Sequence, residues 1–249
     1  MIMRCIIFLC FFSISDSLLG QADYREENFV GLGFSYGLDI PAADMADRFG
    51  TNFRALLSVD IYNVKFNGTF SIEGGILFGD NVNEDVISLY RLENGRILGT
   101  GGQLADVFLR QRGTIFGVYA SKNVIPLRNN PKAGLALGLG LGLIQHNIRL
   151  QVDSNNANQF SGDYAKGYDR NTMGPYVKQT IKYLHIGKSK SVNYEIALTF
   201  HEAFTKNTRA INFDTQMPDN SRRLDILIGL SAKWYLPIFD LRESEDIYY

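Results

Sequence analysis

The chain of 249 residues lacks the features that cross-link small secreted domains or mark a helical membrane protein. Its two cysteines, Cys5 and Cys10, both lie near the start, so the rest of the chain has no disulfide and no cysteine metal site. The formal net charge is −1, and no basic excess points to nucleic acid. Beyond the first twenty residues, no run of about eighteen apolar residues marks a membrane helix.

The first residues have the pattern of a cleaved secretory signal peptide. Arg4 is the only charge of a short amino-terminal region, and the apolar run Cys5–Phe12 is too short to cross a bilayer. Small residues precede Gln21, where we expect cleavage, and neither cysteine follows a lipobox. We therefore predict a signal peptide at residues 1–20, one folded domain at 21–239 and an acidic tail at 240–249. An uncleaved membrane anchor is the alternative.

The segment Ala133–Gln145 alternates leucine with very small residues. A period of two is the period of a β-strand, so one face is a ridge of leucines and the other is almost bare backbone. A bare inner face leaves room for large side chains of neighbouring strands inside a narrow closed barrel that has lipid outside. The outward set is Leu135, Leu137, Leu139, Leu141 and Leu143, and the inward set is Gly134, Ala136, Gly138, Gly140 and Gly142.

Seven further segments show the same alternation, and each is near the length that crosses a bilayer when tilted. Together with the leucine strand they predict an all-β fold, an eight-stranded antiparallel up-and-down transmembrane β-barrel. The seven segments are Phe29–Asp39, Phe53–Tyr62, Thr69–Phe78, Thr114–Val124, Tyr176–Leu184, Asn193–Phe204 and Leu224–Leu236.

The connections between these strands alternate between short and long. One side has turns with hairpin signals such as Asn67-Gly68, and the loops on the other side are mostly much longer. Short periplasmic turns and long extracellular loops are the asymmetry of an outer-membrane barrel. The predicted turns are Asn63–Gly68, Ile125–Lys132 and Gly187–Val192, and the predicted loops are Ile40–Asn52, Gly79–Gly113, His146–Gly174 and Thr205–Arg223.

Aromatic residues fall at both ends of the predicted strands, where a membrane barrel has its interfacial belts. The alternative is an ordinary core, since soluble barrels also bury Phe and Tyr. We interpret Tyr62, Phe70, Tyr183, Tyr194 and Trp234 as a belt on the turn side, and Phe53, Phe78, Phe116, Tyr176 and Phe204 as a belt on the loop side.

Four bases and four acids fall on the inward faces of the strands. Side chains fill the interior of an eight-stranded barrel, so these groups must pair across it or stay hydrated. Equal numbers favour a paired, packed lumen over a proton or ion path. The predicted lumen charge network is Arg54, Asp60, Glu73, Lys178, Lys182, Glu195, Asp225 and Lys233.

No tight catalytic or cofactor motif is present. His146 and His201 lie near the loop side, where some eight-stranded lipid A deacylases and acylases have a histidine, but no serine motif accompanies either one. The loop acids Asp163 and Asp169 lack the spacing of an EF-hand. We therefore expect no catalytic residue, no metal and no cofactor.

The long loops differ in composition. Residues 86–92 and 103–109 combine apolar and charged residues near helical spacing, which predicts short helices over the barrel mouth. The third and fourth long loops are rich in Tyr, Asn, Arg and Asp, a composition that suits protein or glycan contacts.

Two details add a family resemblance to this layout. The junction Leu19-Gly20-Gln21 resembles signal cleavage before glutamine in Bacteroidetes, and Lys233–Phe239 resembles the aromatic closing strand of outer-membrane barrels. Beyond its leader, the chain resembles a small eight-stranded outer-membrane β-barrel of the Bacteroidetes type, with an OmpA-like or PorT-like layout. The resemblance implies location in the bacterial outer membrane and, for PorT-like barrels, a link to secretion or gliding.

These features favour a non-enzymatic outer-membrane barrel that is structural or binds partners through its extracellular loops. Outer-membrane lipid would surround it, and the expected partner at the loops is a protein or a glycan. The first rival is a rim-active lipid A hydrolase or acyltransferase. The second is a secreted soluble ligand-binding barrel, which the apolar outward faces disfavour.

Overall fold

The computed structural model describes residues 28–153, 157–186 and 193–240, with side chains described as far as residue 236. The predicted signal peptide, the turn Gly187–Val192 and residues 241–249 of the predicted tail lie outside the described residues. The strands are β1 (Phe29–Ala43), β2 (Asn52–Asn63), β3 (Gly68–Gly79), β4 (Ile97–Leu98), β5 (Leu104–Ala105), β6 (Val107–Leu127), β7 (Asn130–Val152), β8 (Thr172–Ile186), β9 (Asn193–Asn207) and β10 (Arg222–Asp240).

Eight of these strands close into an antiparallel barrel in the order β1-β10-β9-β8-β7-β6-β3-β2. Strands β4 and β5 form a separate two-stranded sheet within a loop. The predicted eight-stranded up-and-down barrel is therefore confirmed. Among the described residues, no helix has the length and apolar character needed to cross a membrane.

The leucine segment is part of β7, and its leucines point outward and its small residues inward, as predicted. Leu141 is 59% exposed on the outer wall, and Leu57 on β2 is 67% exposed. On the inner face, a Cβ at Gly138 would lie 2.1 Å from the Tyr119 hydroxyl, and one at Gly142 would lie 2.6 Å from the Tyr176 ring. The glycines are needed because these tyrosines fill the space that inward side chains would occupy.

Strands β6 and β7 are longer than predicted at both ends. They pair with each other from Val107↔Val152 to Leu127↔Asn130, beyond the ends of β3 and β8. Charged outward residues such as Arg110 and Arg149 interrupt the apolar alternation there, which is why the sequence pattern ended the strands early.

The four long connections are loop 1 (residues 44–51), loop 2 (80–106), loop 3 (153–171) and loop 4 (208–221). The short helices predicted in loop 2 are present only in part. Residues 86–92 contain the 3-10 helix Ser88–Tyr90, whereas residues 103–109 form β5 and the start of β6, and loop 2 also has a 3-10 turn at Thr100–Gly102 and the β4–β5 hairpin. Gly101 and Gly102 have φ values of 78° and 77°, which suit a tight turn and end any helix.

Apolar clusters close both ends of the barrel. At the turn side, Phe29, Tyr62, Leu184, Ile186 and Tyr235 pack together inside. At the loop side, residues of the long loops pack on inward residues of the strands and bury them. The loop-side cluster includes Met45, Phe49, Val86, Ile87, Ile97, Phe160, Tyr168, Ile144, Ile148 and Leu227.

Candidate functional site

All eight residues of the predicted lumen network lie buried inside the barrel. Three lysines on β8 and β10 each reach a carboxylate. Lys178 Nζ lies 2.6 Å from Glu73, Lys182 Nζ lies 2.6 Å from Glu195, and Lys233 Nζ lies 2.8 Å from Asp60. These pairs form because period-two strands direct their long polar side chains into one narrow interior, where they reach partners on a neighbouring strand, as Lys182 does, or across the barrel, as Lys178 does.

Neighbouring hydroxyl groups and one aromatic ring complete these pairs. The Tyr235 hydroxyl donates a hydrogen bond to Glu195, and the Ser58 hydroxyl donates one to Asp60 at 2.5 Å. The Lys178 and Lys182 ammonium groups lie 4.6 and 5.0 Å from the centre of the Tyr119 ring. The cavity among these residues has a volume of about 10 Å3, which is room for about one water molecule.

Two partners inside the barrel were missed by sequence analysis. Asp39, at the loop-side end of β1, lies 3.2 Å from Arg54. Arg48 descends from loop 1 and forms an ion pair with Asp225. Asp39 was already on the inward parity of its strand and could have been found. Arg48 could not, because a loop residue has no strand period that shows where it points.

Asp225 accepts bonds from three elements at the loop side of the lumen. Its carboxylate bonds with Arg48, with the Thr205 hydroxyl at 2.6 Å and with His146 Nε2 at 2.9 Å. His146 was predicted at the start of loop 3, but it lies on β7 with its side chain inside the barrel. The correction follows from the extra length of β7.

The histidines do not form the arrangement that a hydrolase needs. His201 is buried and lies 3.0 Å from the Arg54 guanidinium, while His146 packs edge-on against Phe49. His185 stacks on Tyr194 at the turn side. Within the described ranges, no Ser or Thr hydroxyl bonds to any of these three rings. A lipid carbonyl could not reach His146 or His201 without opening of the barrel.

The predicted belt aromatics divide between the wall and the interior. Trp234 and Tyr194 are cross-strand partners, and Tyr183 lies 6.2 Å from Tyr194, so these three side chains form one outward group at the turn side. The prediction of interfacial belts was wrong for Tyr62 and Tyr176, which lie inside the barrel. Tyr62 is only 1% exposed and stacks on Phe29, and Tyr176 fills the space beside Gly142. Both share the inward parity of their strands.

Loops 2, 3 and 4 are joined by ion pairs into a cap over the barrel; we use this name for the four long loops together. Arg170 of loop 3 bonds with Glu84 of loop 2 at 2.7 Å and with Asp214 of loop 4 at 2.5 Å. Arg209 of loop 4 pairs with Asp169 of loop 3. Burial lowers the basicity of Arg170, but its bonds to Asp214 and Glu84 outweigh this and raise its pKa.

An aromatic cluster also joins these three loops. The Tyr168 ring contacts Tyr90, Phe160 and Phe213 edge-on, with ring centres 5.2 to 6.0 Å apart. The Tyr90 and Tyr168 hydroxyl groups are 3.0 Å apart. Burial and the neighbouring Tyr90 raise the pKa of Tyr168 to about 12. The cap is therefore a packed structure in which Tyr90 of loop 2 and Phe213 of loop 4 meet Phe160 and Tyr168 of loop 3.

The outer surface of the cap is acidic and partly apolar. Its four loops contain twelve Asp and Glu side chains and six Arg and Lys side chains, a formal net charge of −6. Large apolar side chains stand exposed among them, with Leu89 at 77%. The described part of the chain has no group of three His, Cys, Asp or Glu residues placed to hold a metal ion. The exposed apolar residues of the cap include Leu89, Leu92, Leu98, Leu104, Tyr164, Ile211, Phe213 and Met217.

The closed barrel with its apolar wall is that of an outer-membrane protein, because only such a barrel satisfies its backbone in lipid without helices. A scan against protein-family models gives no match, and a search of curated proteins gives none either. The crystal structure of Ail, the attachment invasion locus protein of Yersinia pestis, in complex with the heparin analogue sucrose octasulfate, has 6% identity and a TM-score of 0.43, over 84% of this chain and 99% of that chain. A second crystal structure of Ail has 7% identity, the same coverage and the same TM-score. At this identity and TM-score, the similarity carries no inference about function.

Proposed function

We propose that this chain is a non-enzymatic outer-membrane barrel, oriented with its long loops outside the cell, that binds a basic protein surface through its cap. The acidic, partly apolar and internally braced cap carries the proposal. A surface that is already ordered loses little conformational freedom on binding, which favours specific recognition.

The buried histidines and the closed lumen support a binding role over catalysis. His146 and His201 are engaged by Asp225 and Arg54, and both lie under the packed loops. The paired lysines leave space for about one water molecule among them, so the interior favours a structural role over transport.

The charge of the cap supports a basic protein as the partner. With a net charge of −6, the cap repels polyanionic glycans and attracts cationic surfaces, which also speeds encounter. Exposed side chains such as Leu89 and Tyr164 provide apolar contacts that a purely electrostatic site would lack. The Bacteroidetes origin and the accessory role in secretion or surface assembly that a PorT-like layout implies stay predictions.

A charge-dependent cross-link on living cells tests the proposal. A photo-reactive amino acid at Leu89 should give a protein adduct that is lost in the variant Asp47→Asn/Glu93→Gln/Asp163→Asn, which neutralises three exposed acids of the cap. The matched control Arg96→Gln/Lys166→Gln removes exposed bases from the same loops and should keep the adduct. The proposal would be contradicted if the adduct persisted in the acid-neutralised variant, or if a photo-reactive residue at Leu127 on the turn side gave the same adduct.

A further inference from the structure

The outer wall has a repulsive pair of bases just beyond the apolar band on β9 and β10. Phe204 and Leu224 are opposite each other and face outward, and the next outward pair toward the loops is Lys206 and Arg222. Directly opposed residues of an antiparallel pair have Cβ atoms about 5 Å apart, and like charges there destabilise the sheet. The side chains of Lys206 and Arg222 form no hydrogen bond or ion pair with another described residue.

A second pair of the same kind lies on β6 and β7. Arg110 and Arg149 are directly opposite each other, and both belong to the outward parity of their strands. Asp80 neutralises Arg110, but Arg149 is exposed and has no acidic partner in the described residues. Phe108 is 51% exposed on the same outward parity of β6 and lies closer to the loops, so this pair, unlike Lys206 and Arg222, is not at the edge of the apolar wall.

The position of Lys206 and Arg222 matches the level of lipid headgroups. They are the next outward residues after Phe204 and Leu224, at the point where β9 and β10 leave the apolar wall toward the loops. They are not part of a generally basic surface, since the cap beyond them has a net charge of −6. An anion placed between the two bases of a pair would turn the repulsion into two charge-assisted hydrogen bonds.

We propose that Lys206 and Arg222 together bind a phosphate group of a phosphorylated glycolipid of the lipid A type in the outer leaflet. A phosphate monoester offers three acceptor oxygens and up to two negative charges, which suits two neighbouring bases better than a carboxylate does. The proposal rests on the orientation with the long loops outside, and it is independent of any protein partner at the cap.

Lipid retention by the purified full chain in zwitterionic detergent tests the proposal, with diphosphorylated lipid A as the probe. Native mass spectrometry should show bound lipid A on the parent barrel. The variant Lys206→Gln/Arg222→Gln should bind it about tenfold more weakly or worse, because charged hydrogen bonds to phosphate are lost. The matched control Lys65→Gln/Arg128→Gln removes two exposed bases from the turn side and should bind as the parent does.

A stability measurement separates the site from a folding effect. Without lipid A, Lys206→Gln/Arg222→Gln should melt at the same temperature as the parent or higher, because a like-charge repulsion is removed. With lipid A, only the parent and the turn-side control should gain stability. The proposal would be overturned if the two double variants bound lipid A equally well. It would also be overturned if the parent retained phosphatidylglycerol as well as it retains lipid A. Absence of the Leu89 cross-link on cells would contradict the proposed function of the cap and would not bear on lipid A binding.

Discussion

The two halves of the barrel interior are built by different means. In the turn-side half, both partners of each ion pair come from strands, as in Lys182 with Glu195 and Lys233 with Asp60. In the loop-side half, Asp225 on β10 receives Arg48 from loop 1 and His146 from β7, where His146 is opposite Thr172, the first residue of β8. The first half belongs to the barrel alone, whereas the second joins the barrel to its cap.

This difference indicates which ion pairs should stabilise the whole barrel and which should only hold the cap in place. Loss of a turn-side partner leaves an uncompensated charge enclosed by strands, so it should lower the free energy of unfolding of the whole barrel. Loss of a loop-side partner can be relieved by local opening, because loop 1 can move away while the strands stay paired.

The largest expected effect is at the turn side. Glu195→Ala should lower the free energy of unfolding by about 3 to 5 kcal/mol, since Lys182 stays buried without its carboxylate. Urea unfolding in lipid vesicles measures this change, and Asp163→Ala in loop 3 is the control that should leave stability unchanged. The double variant Lys182→Met/Glu195→Met should recover most of the loss, because it removes both charges. A single variant as stable as the control would show that the lumen is hydrated.

The next effect tests the wall against the interior. Leu139→Arg places a charge in the middle of the outward face of β7 and should cost about 2 to 4 kcal/mol in a bilayer. The same change at Leu89, which is exposed on the cap, should have no effect on unfolding in the same vesicles. If the two changes cost the same, the outward face of β7 would not contact lipid.

The fold could be predicted because strand alternation repeats a simple physical requirement. Outward residues such as Leu141 must be apolar and inward residues such as Lys178 must find partners, so period two fixes both faces at once. The same parity would have placed Tyr62 and Tyr176 inside, but their positions at strand ends suggested the belts instead. Position along the strand was a weaker signal than parity.

The loop side could not be predicted in the same way. The insertion of Arg48 and Phe49 into the barrel mouth depends on contacts with residues far away in sequence, such as Asp225 and His146. The ion pairs of the cap likewise join three loops through Arg170. No local period marks such contacts, so the sequence suggested a cover over the barrel mouth for loop 2 only and gave no indication of the ion pairs that join the loops.

A smaller effect should separate the two halves directly. Arg48→Met should lower the free energy of unfolding by only about 1 to 3 kcal/mol, because Asp225 keeps its bonds to His146 and Thr205. Loop 1 should nevertheless become much more sensitive to protease and to hydrogen exchange, since the Arg48 side chain also donates hydrogen bonds to the Thr172 hydroxyl and to the Asp44 carbonyl. Glu195→Ala, compared under conditions where it is still folded, should leave loop 1 protected. Equal protection of loop 1 in the two variants would remove the distinction between the halves.

The smallest effect concerns acid. Asp219 in loop 4 is partly buried, which raises its pKa, but bonds from Arg223, the Ser221 amide and Asn207 outweigh this and lower the pKa to about 2. Because the folded pKa is below the unfolded value of about 3.9, the contribution of Asp219 is complete above pH 4 and is lost as the pH falls toward 2. A spin label on a cysteine at Thr215 should therefore become more mobile over this interval while the barrel remains folded. In Asp219→Asn the label should already be mobile at pH 5 and should respond less to acid, whereas Asp163→Asn in loop 3 should leave the curve unchanged. A label whose mobility does not change between pH 5 and 2 would show that the contacts of Asp219 do not hold loop 4.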